Sequence, residues 1–470
     1  SDDNSTPGTT DAVVLCDGYI IELGANITVG SVVIKDGGGI SDGGSNRSLT
    51  ISQNLLVYGT GTVNMTGGNS FTVEGSASFL GTETMNVEGE SVFKGDLYIE
   101  SLTVYNQNGG NDDIRFRGEN MTINGTLNLN GNSLNIGGTT TQNISGSGTI
   151  TSNNSSSNVV LRNSHKIIGS TANLTIQPEV YFNTNNYSVT NNGVVTLQYN
   201  GVSTQGDLDS QTSNNNWINA SGSTLNYGGL TTMFTTSGSL NTSAVNNTVN
   251  YNGAGSQSII QPISNIYTNL STSGSGTKTL AGQLDVNGDV NIAETSTFDT
   301  DGNNVALAGN WNDSSTFVPG TGIVTFDGTA DQFINNLNSS EETFYNVTIN
   351  KTSGEVNLSA SSNVTITNTL ILTSGLVNVN TSNLIIDETA TVTGFSDMSF
   401  VKTDNTGSLR KNWASPGVFI FPVGDIDKLT RFTFQLLTGS ITAGAYTDMN
   451  VSSTKFEEIG ATSNYIDRYW

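Results

Sequence analysis

Cysteine, histidine and proline are nearly missing from this chain of 470 residues, which holds one Cys, one His and six Pro. A lone cysteine, Cys16, excludes an internal disulfide, and one cysteine with one histidine cannot assemble a zinc site of nitrogen and sulfur ligands. Cys16 closes the apolar run that starts at Ala12, so it is expected as a small buried hydrophobe of a strand. Charge is sparse too, at 12% of residues, and lopsided: 40 acidic against 16 basic groups leave a formal net charge of −24. A surface of that sign repels phosphate backbones and anionic lipid, no basic stripe counters it, and nucleic acid is excluded as an expected partner. No apolar run approaches the roughly 18 residues of a membrane helix, so no transmembrane segment is expected. Good helix formers are scarce beside β-branched residues, and the one helical turn expected lies near Lys455 to Ile459.

What is abundant is glycine, 54 residues, together with Asn, Thr and Ser, set between short apolar pairs. Leu49/Ile51, Val63/Met65, Phe71/Val73, Met85/Val87, Leu97/Ile99 and Leu127/Leu129 each place two apolar side chains on one face of a short strand. The beats open at residues 49, 56, 63, 71, 79, 85, 92, 97, 102, 114, 121, 127 and 134. Their mean step of about seven residues is too long for a helix face and too short for a sandwich strand with its loop. Three beats per turn give coils of roughly 21 residues, the size of a stacked repeat. This predicts an all-β chain folded as a parallel β-solenoid (β-helix), in which each coil touches only its neighbours, so that length does not force a split into several compact cores.

Residues 1–10 read as a flexible polar leader. The solenoid is expected over 11–400, most regular to about Gly148 and looser between about Thr151 and Ser243, where Asn153 to Asn158 and Asn214 to Asn216 read as long turns. A coarser duplication pairs Tyr251-Asn252-Gly253 with Phe326-Asp327-Gly328, Gln257 with Gln332, Leu280 with Leu358 and Val286 with Val364, an offset of about 75 residues that predicts equivalent units at about 251–325 and 326–400. From Phe400 the texture changes: Arg410, Lys411, Lys428 and Arg431 gather basic groups, and Trp413 and Phe419 to Phe421 gather aromatics. Residues 401–470 are expected to form a separate β module that caps the exposed edge of the stack or links it onward. The first residue is Ser1 rather than Met and the last is Trp470, from which an exported product that is part of a longer polypeptide is expected.

Two stretches resemble a known family. "YTNLSTSGSGTKTLAGQLDVNGDVNI" (Tyr267 to Ile292), with "LAGNWNDSSTFVPGTGIVTFDG" (Leu307 to Gly328) and "TFYNVTINKTSGEVNL" (Thr343 to Leu358), resembles the strand repeats of very large surface proteins that Bacteroidota export by type nine secretion. "GSLRKNWASPGVFIFPVGD" (Gly407 to Asp425) is similar to the block that often follows those repeats. The resemblance implies a secreted or cell-surface protein, adhesin-like or filament-forming, whose partners are further copies of itself or a cell-surface glycan or protein.

Catalytic chemistry finds little footing. A polygalacturonase-like β-helix needs clustered aspartates near Gly-His-Gly, yet the one histidine, His165, lies in Asn163-Ser164-His165-Lys166, and no nucleophile elbow surrounds it. Asp112-Asp113 with Arg115 and Arg117 is the best local candidate for lyase chemistry, but the alternation reads as a strand with Ile114 and Phe116 inward and the arginines outward. Asp299-Thr300-Asp301-Gly302-Asn303 is oxygen-rich like a calcium loop, yet it lacks a later Glu and falls where a turn is needed. Asn-x-Ser/Thr triplets at Asn26, Asn64, Asn173 and Asn346 follow from composition, whereas Asn stacked on Asn in successive coils would form amide ladders. Thr-x-Thr at Thr365 to Thr367, and Thr139 to Thr141, do not recur at coil spacing, which argues against ice binding. Trp217, Trp311, Trp413 and Trp470 are expected as buried plugs. No catalytic, cofactor-binding or metal-binding residue is assigned, calcium being the one ion kept as a candidate, and no enzyme is expected. The expected function is an adhesive or structural stalk, with a calcium-dependent polysaccharide-binding or polysaccharide-cleaving β-helix as the alternative.

Overall fold

The computed structural model describes residues 7–109, 112–154, 156–198, 208–209, 216–230, 232–234, 238–338, 341–425, 428–437 and 439–451. The expected turn near Lys455 and the residue Trp470 lie outside them. Among the described residues the one helical element is the 3-10 turn Ile263–Asn265. Every other element is a strand, and parallel pairing dominates, as the seven-residue beat predicts. The chain divides into two compact units, Ser1–Gln257 and Ser258–Trp470, a division that falls inside the stretch 11–400 expected to be continuous.

Over most of the first unit three strands make each coil and each strand pairs with the strand three places later; near its end Asn216–Asn219 pairs with Ser239–Asn241 and Thr224–Tyr227 with Thr248–Tyr251, two places later. Ala77–Gly81 lies in register between Leu55–Gly59 and Leu97–Ile99, and Ser91–Phe93 between Phe71–Val73 and Ile114–Phe116. One sheet runs through eleven such strands from Ala12–Leu15 to Ser239–Asn241, so the ladder survives the compositionally loose stretch after Thr151. In-register parallel stacking puts like residues in columns. Inside the coils, Phe71 and Phe93 from one sheet meet Phe79 and Tyr105 from the other two and pack edge to face, with ring centroids 5.3–6.2 Å apart, the geometry that aromatic quadrupoles favour. Glycine serves the corners where coils approach: Gly89 has φ 88°, and a Cβ there would sit 1.8 Å from Asn69 O.

The expected inward pairs are buried, from Leu49/Ile51 through Leu127/Leu129. Three beats fall out of phase. Leu56 points outward between buried Leu55 and Val57, Val92 points outward between buried Ser91 and Phe93, and Leu102 is 68% exposed in a turn. Ser91 occupies an apolar slot because Tyr105 Oη at 2.8 Å and Gln107 Oε1 at 2.6 Å satisfy its hydroxyl. Cys16 lies just after the strand Ala12–Leu15 and is only half-buried, which corrects the expectation of a buried strand residue: that strand belongs to the first coil, with no earlier coil among the described residues to cover it. The Cys16 thiol is held above its ordinary range by its hydrogen bond to Asp17 and that carboxylate's charge.

The amide ladders form, and on the outward faces of strands. Asn86 Nδ2 donates to Asn64 Oδ1 and Asn106 Nδ2 to Asn86 Oδ1; in the second unit Asn312 donates to Asn291 and Asn335 to Asn312. At the corners, side-chain oxygens catch the next coil's backbone, as in the series Asn269 Oδ1 to Asp289 N–H and Asp289 Oδ1 to Asn310 N–H.

In the second unit the strands fuse. Glu342–Leu358 and Val364–Asn378 each run unbroken around bends, with register shifts between Phe344 and Asn346 and between Ile349 and Glu355. Parallel pairing continues past residue 400, through Val401–Lys402 on Val377 and Asn378 and Leu409–Asn412 on Leu384–Ile386. It then reverses: Gly417–Gly424 pairs antiparallel with Leu429–Leu436, and Tyr446–Met449 lies antiparallel along the outer edge of Leu409–Asn412. The edge that a further coil would occupy is thereby covered. Trp217 and Trp311 are fully buried and Trp413 nearly so.

Candidate functional site

The strands Ile114–Phe116, Ser133–Ile136 and Ser157–Leu161 stack in register, Phe116 on Ile136 on Leu161. One residue further along each strand the chain places Arg117, Gly137 and Arg162, so a glycine separates two arginines on the outer surface. Neighbouring outward positions hold Arg115 beside Asn135. Asp113, Arg115, Arg117, Asn135 and Arg162 line a cleft of about 250 Å³. Ile114 and Phe116 are buried and the arginines face outward, as alternation predicts. The sequence missed Arg162, because its arrival depends on coil register rather than on chain proximity.

The cleft is internally braced. Arg117 Nη1 donates to Gly137 O at 2.7 Å, and Arg162 Nε donates to Asn135 Oδ1 at 2.5 Å. Asn135 is buried and its Nδ2 donates to Asp113 Oδ2 at 2.8 Å, while Asp113 Oδ1 accepts the Ser133 N–H. Both carboxylate oxygens of Asp113 are thus held by neutral donors. Arg115 pairs with Glu90 at 2.5 Å; no ion pair engages Arg117 or Arg162 among the described residues. Three of the chain's basic residues therefore converge in a molecule of net charge −24.

Other titratable groups have structural settings. His165 is half-buried, with Nε2 3.0 Å from Thr190 Oγ1, and burial beside Lys166 holds its pKa below the ordinary value. Asp299 Oδ1 accepts the Asp301 N–H, Asn303 Nδ2 donates inward to Thr300 O, and Thr300 donates to Pro319 O, so the oxygen-rich loop uses its polar groups to shape a turn. Among the described residues no three His, Cys, Asp or Glu side chains converge as metal ligands would.

Sequence reasoning also missed a set of buried cations. Lys351 Nζ donates to Gly328 O, Ala330 O and Gln332 Oε1 at 2.7–2.8 Å, and Lys411 Nζ donates to Asp387 O, Glu388 O and Ala390 O. Lys166 Nζ binds Arg162 O, Ser164 O and Ser164 Oγ, and its pKa is pushed down to about 8 by burial. Each ammonium ties several corner oxygens together, some of which, such as Arg162 O and Asp387 O, also accept a backbone N–H. Buried glutamines do related work: Gln142 and Gln332 each accept the N–H of a glycine four residues earlier, Gly138 and Gly328, and donate back to the preceding coil.

The second unit buries two carboxyl groups against each other. Asp313 and Glu342 are both buried, and Glu342 Oε2 finds no hydrogen-bond partner among the described residues. Burial and then the Asp313 charge hold Glu342 well above the usual carboxylate range, and burial raises Asp313 as well. Both side chains are closed off from solvent, so neither carboxyl group is presented to a substrate. On the outer face of the same unit a shallow groove of about 350 Å³ passes Asn304, Ala306, Thr325 and Thr348, with Asp285 raised in pKa by burial.

No helix among the described residues is long and apolar enough to cross a membrane. Comparison with protein-family models, with curated proteins and with solved structures found no match to the chain.

Proposed function

We propose that this chain is the stalk of a secreted or cell-surface protein, a β-solenoid segment whose work is reach, presentation and adhesion. One observation supports the reading above others: the polar groups of the coils are consumed in bonding one coil to the next, through amide columns such as Asn64–Asn86–Asn106 and through lysines fixed on corner carbonyls. Such bonding supports rigidity along a stack and leaves few groups poised for reaction. The resemblance of Tyr267 to Ile292 and of Gly407 to Asp425 to exported strand-repeat proteins points the same way.

The rival reading, a calcium-dependent β-helix that binds or cleaves polysaccharide, draws on the arginine cleft. Asp113, its one carboxylate, is bound at both oxygens, which favours binding over cleavage. Labelling of intact producing cells, followed by imaging of the label, tests the stalk: surface label on elongated projections is expected, and label that appears only after lysis defeats it. A depolymerisation screen with and without calcium is expected to show no chain shortening, and release of oligosaccharides would establish the rival.

A further inference from the structure

We infer that the cleft between Arg117 and Arg162 binds the carboxylate or sulfate groups of an acidic glycan. The inference deepens the adhesive half of the reading above and is independent of its mechanical half, since binding in solution can fail while the stalk stands.

The cleft has the features of a prepared oxyanion site. Arg117 and Arg162 are each anchored by a single donor, to Gly137 O and to Asn135 Oδ1, which fixes the guanidinium planes and leaves their other N–H groups unengaged by any carboxylate. A guanidinium held in this way recognises planar or tetrahedral oxyanions through paired N–H donors. Gly137 keeps the space between them clear: a Cβ there would lie 2.8 Å from Arg117 Nη1 and 3.0 Å from Arg162 Cβ. The carboxylate that could quench the site, Asp113, is turned to Ser133 N–H and the Asn135 amide.

The lining also selects among anions. It contains no aromatic or aliphatic wall, so a nucleobase finds nothing to stack on and an acyl chain nothing to contact. The overall charge of −24 opposes polyanions at long range, but at physiological ionic strength the screening length is about 8 Å, so the local arginines dominate at contact.

The test is titration calorimetry of the whole chain with polygalacturonate, dextran sulfate, neutral dextran and a single-stranded thymidine oligonucleotide. Binding of at least one acidic glycan is expected; polygalacturonate alone identifies a uronate ligand, and dextran sulfate alone a sulfate ester. Affinity should fall about tenfold or more in Arg117→Gln/Arg162→Gln, because charge-assisted pairs are lost. Arg162→Gln alone, at an exposed position, secures the comparison should the double variant fold poorly, and Gly137→Ala should weaken binding by displacing the Arg117 guanidinium. Arg431→Gln, an exposed arginine elsewhere, should bind as the parent does. Absence of binding to both acidic glycans, equal binding to neutral dextran, preference for the oligonucleotide, or unchanged affinity in Arg162→Gln and Gly137→Ala would each overturn the inference.

Discussion

The two units solve one problem, a narrow interior that must hold polar atoms, with different chemistry. In the first unit the buried polar groups are mostly neutral: Ser91 with Tyr105 and Gln107, Asn191 with Asn219, Gln142 with its glycine, with Asp42 and Lys166 as exceptions. The second unit buries ionisable groups throughout, Asp313 with Glu342 and the lysines 278, 351, 402 and 411. Neutral networks keep their bonds at any pH near neutrality, whereas a buried carboxyl pair and buried ammonium groups tie folding to proton binding. The same solenoid geometry therefore supports one half whose pH dependence is concentrated at His165 and Lys166 and one half in which it is spread over several buried groups.

The largest effect should come from charging the neutral core. Val73→Asp places an unpaired carboxylate between Ile51 and Phe93, on which Val73 stacks, at a penalty on the order of 3 kcal/mol or more, and Leu129→Asp should do the same. Thermal melting should drop and amide exchange should accelerate in the adjoining coils; unchanged melting of both variants would refute the inward assignment. Next, Lys351→Met keeps the stem but takes the ammonium from Gly328 O, Ala330 O and Gln332 Oε1, of which the last keeps the Gly328 N–H. A loss of about 1–3 kcal/mol is expected, from unsatisfied buried acceptors, with faster exchange confined to the second unit.

The pH dependence distinguishes the units most directly. Glu342 has a folded-state pKa raised above its unfolded value, so its contribution is complete below the unfolded pKa and is lost as pH rises through the folded one. Amide exchange around residues 311–344 should speed up as pH climbs out of the acid range, after correction for intrinsic exchange, and Glu342→Gln should flatten that response. Lys278 runs the other way: its pKa is pushed down to about 8, so its region should gain stability as pH rises from about 8 toward the unfolded lysine value. A response of equal size in both units would erase the contrast. The smallest change is Asn86→Ala, which interrupts one outward ladder and should lower stability by about 1 kcal/mol, measurable as a small shift in denaturant midpoint.

Much of this architecture was legible from residue order. Alternating pairs such as Phe71/Val73 and Met85/Val87 report their inward faces directly, since a strand has a period of two and each coil repeats the previous one. Phase failed at Val92, where a buried Ser91 occupies an apolar slot, and at Leu56, where three apolar residues in succession leave the phase undetermined. The buried lysines were illegible because a lysine on a short strand normally takes an outward position, and only convergent oxygens at the corners give it reason to turn in. The arginine cleft was half legible. Arg115 and Arg117 stood out together, but Arg162 joins them through the register of Phe116, Ile136 and Leu161, and a search for residues that follow stacked apolar positions would have found it. Gln257 and Gln332 were visible as a repeat without their role at the corner, which the bonds of Gln142 and Gln332 define.

Register carries a consequence for how such a chain can change over generations. Because Phe71 meets Leu49 below and Ser91 above at matched positions, removing or copying one full turn leaves compatible neighbours at the splice. Gain or loss of one residue within a strand would instead turn its outward side chains into the interior. Length in this fold is thus adjustable in whole quanta, and slipped replication of the gene is a ready source of variants that still fold.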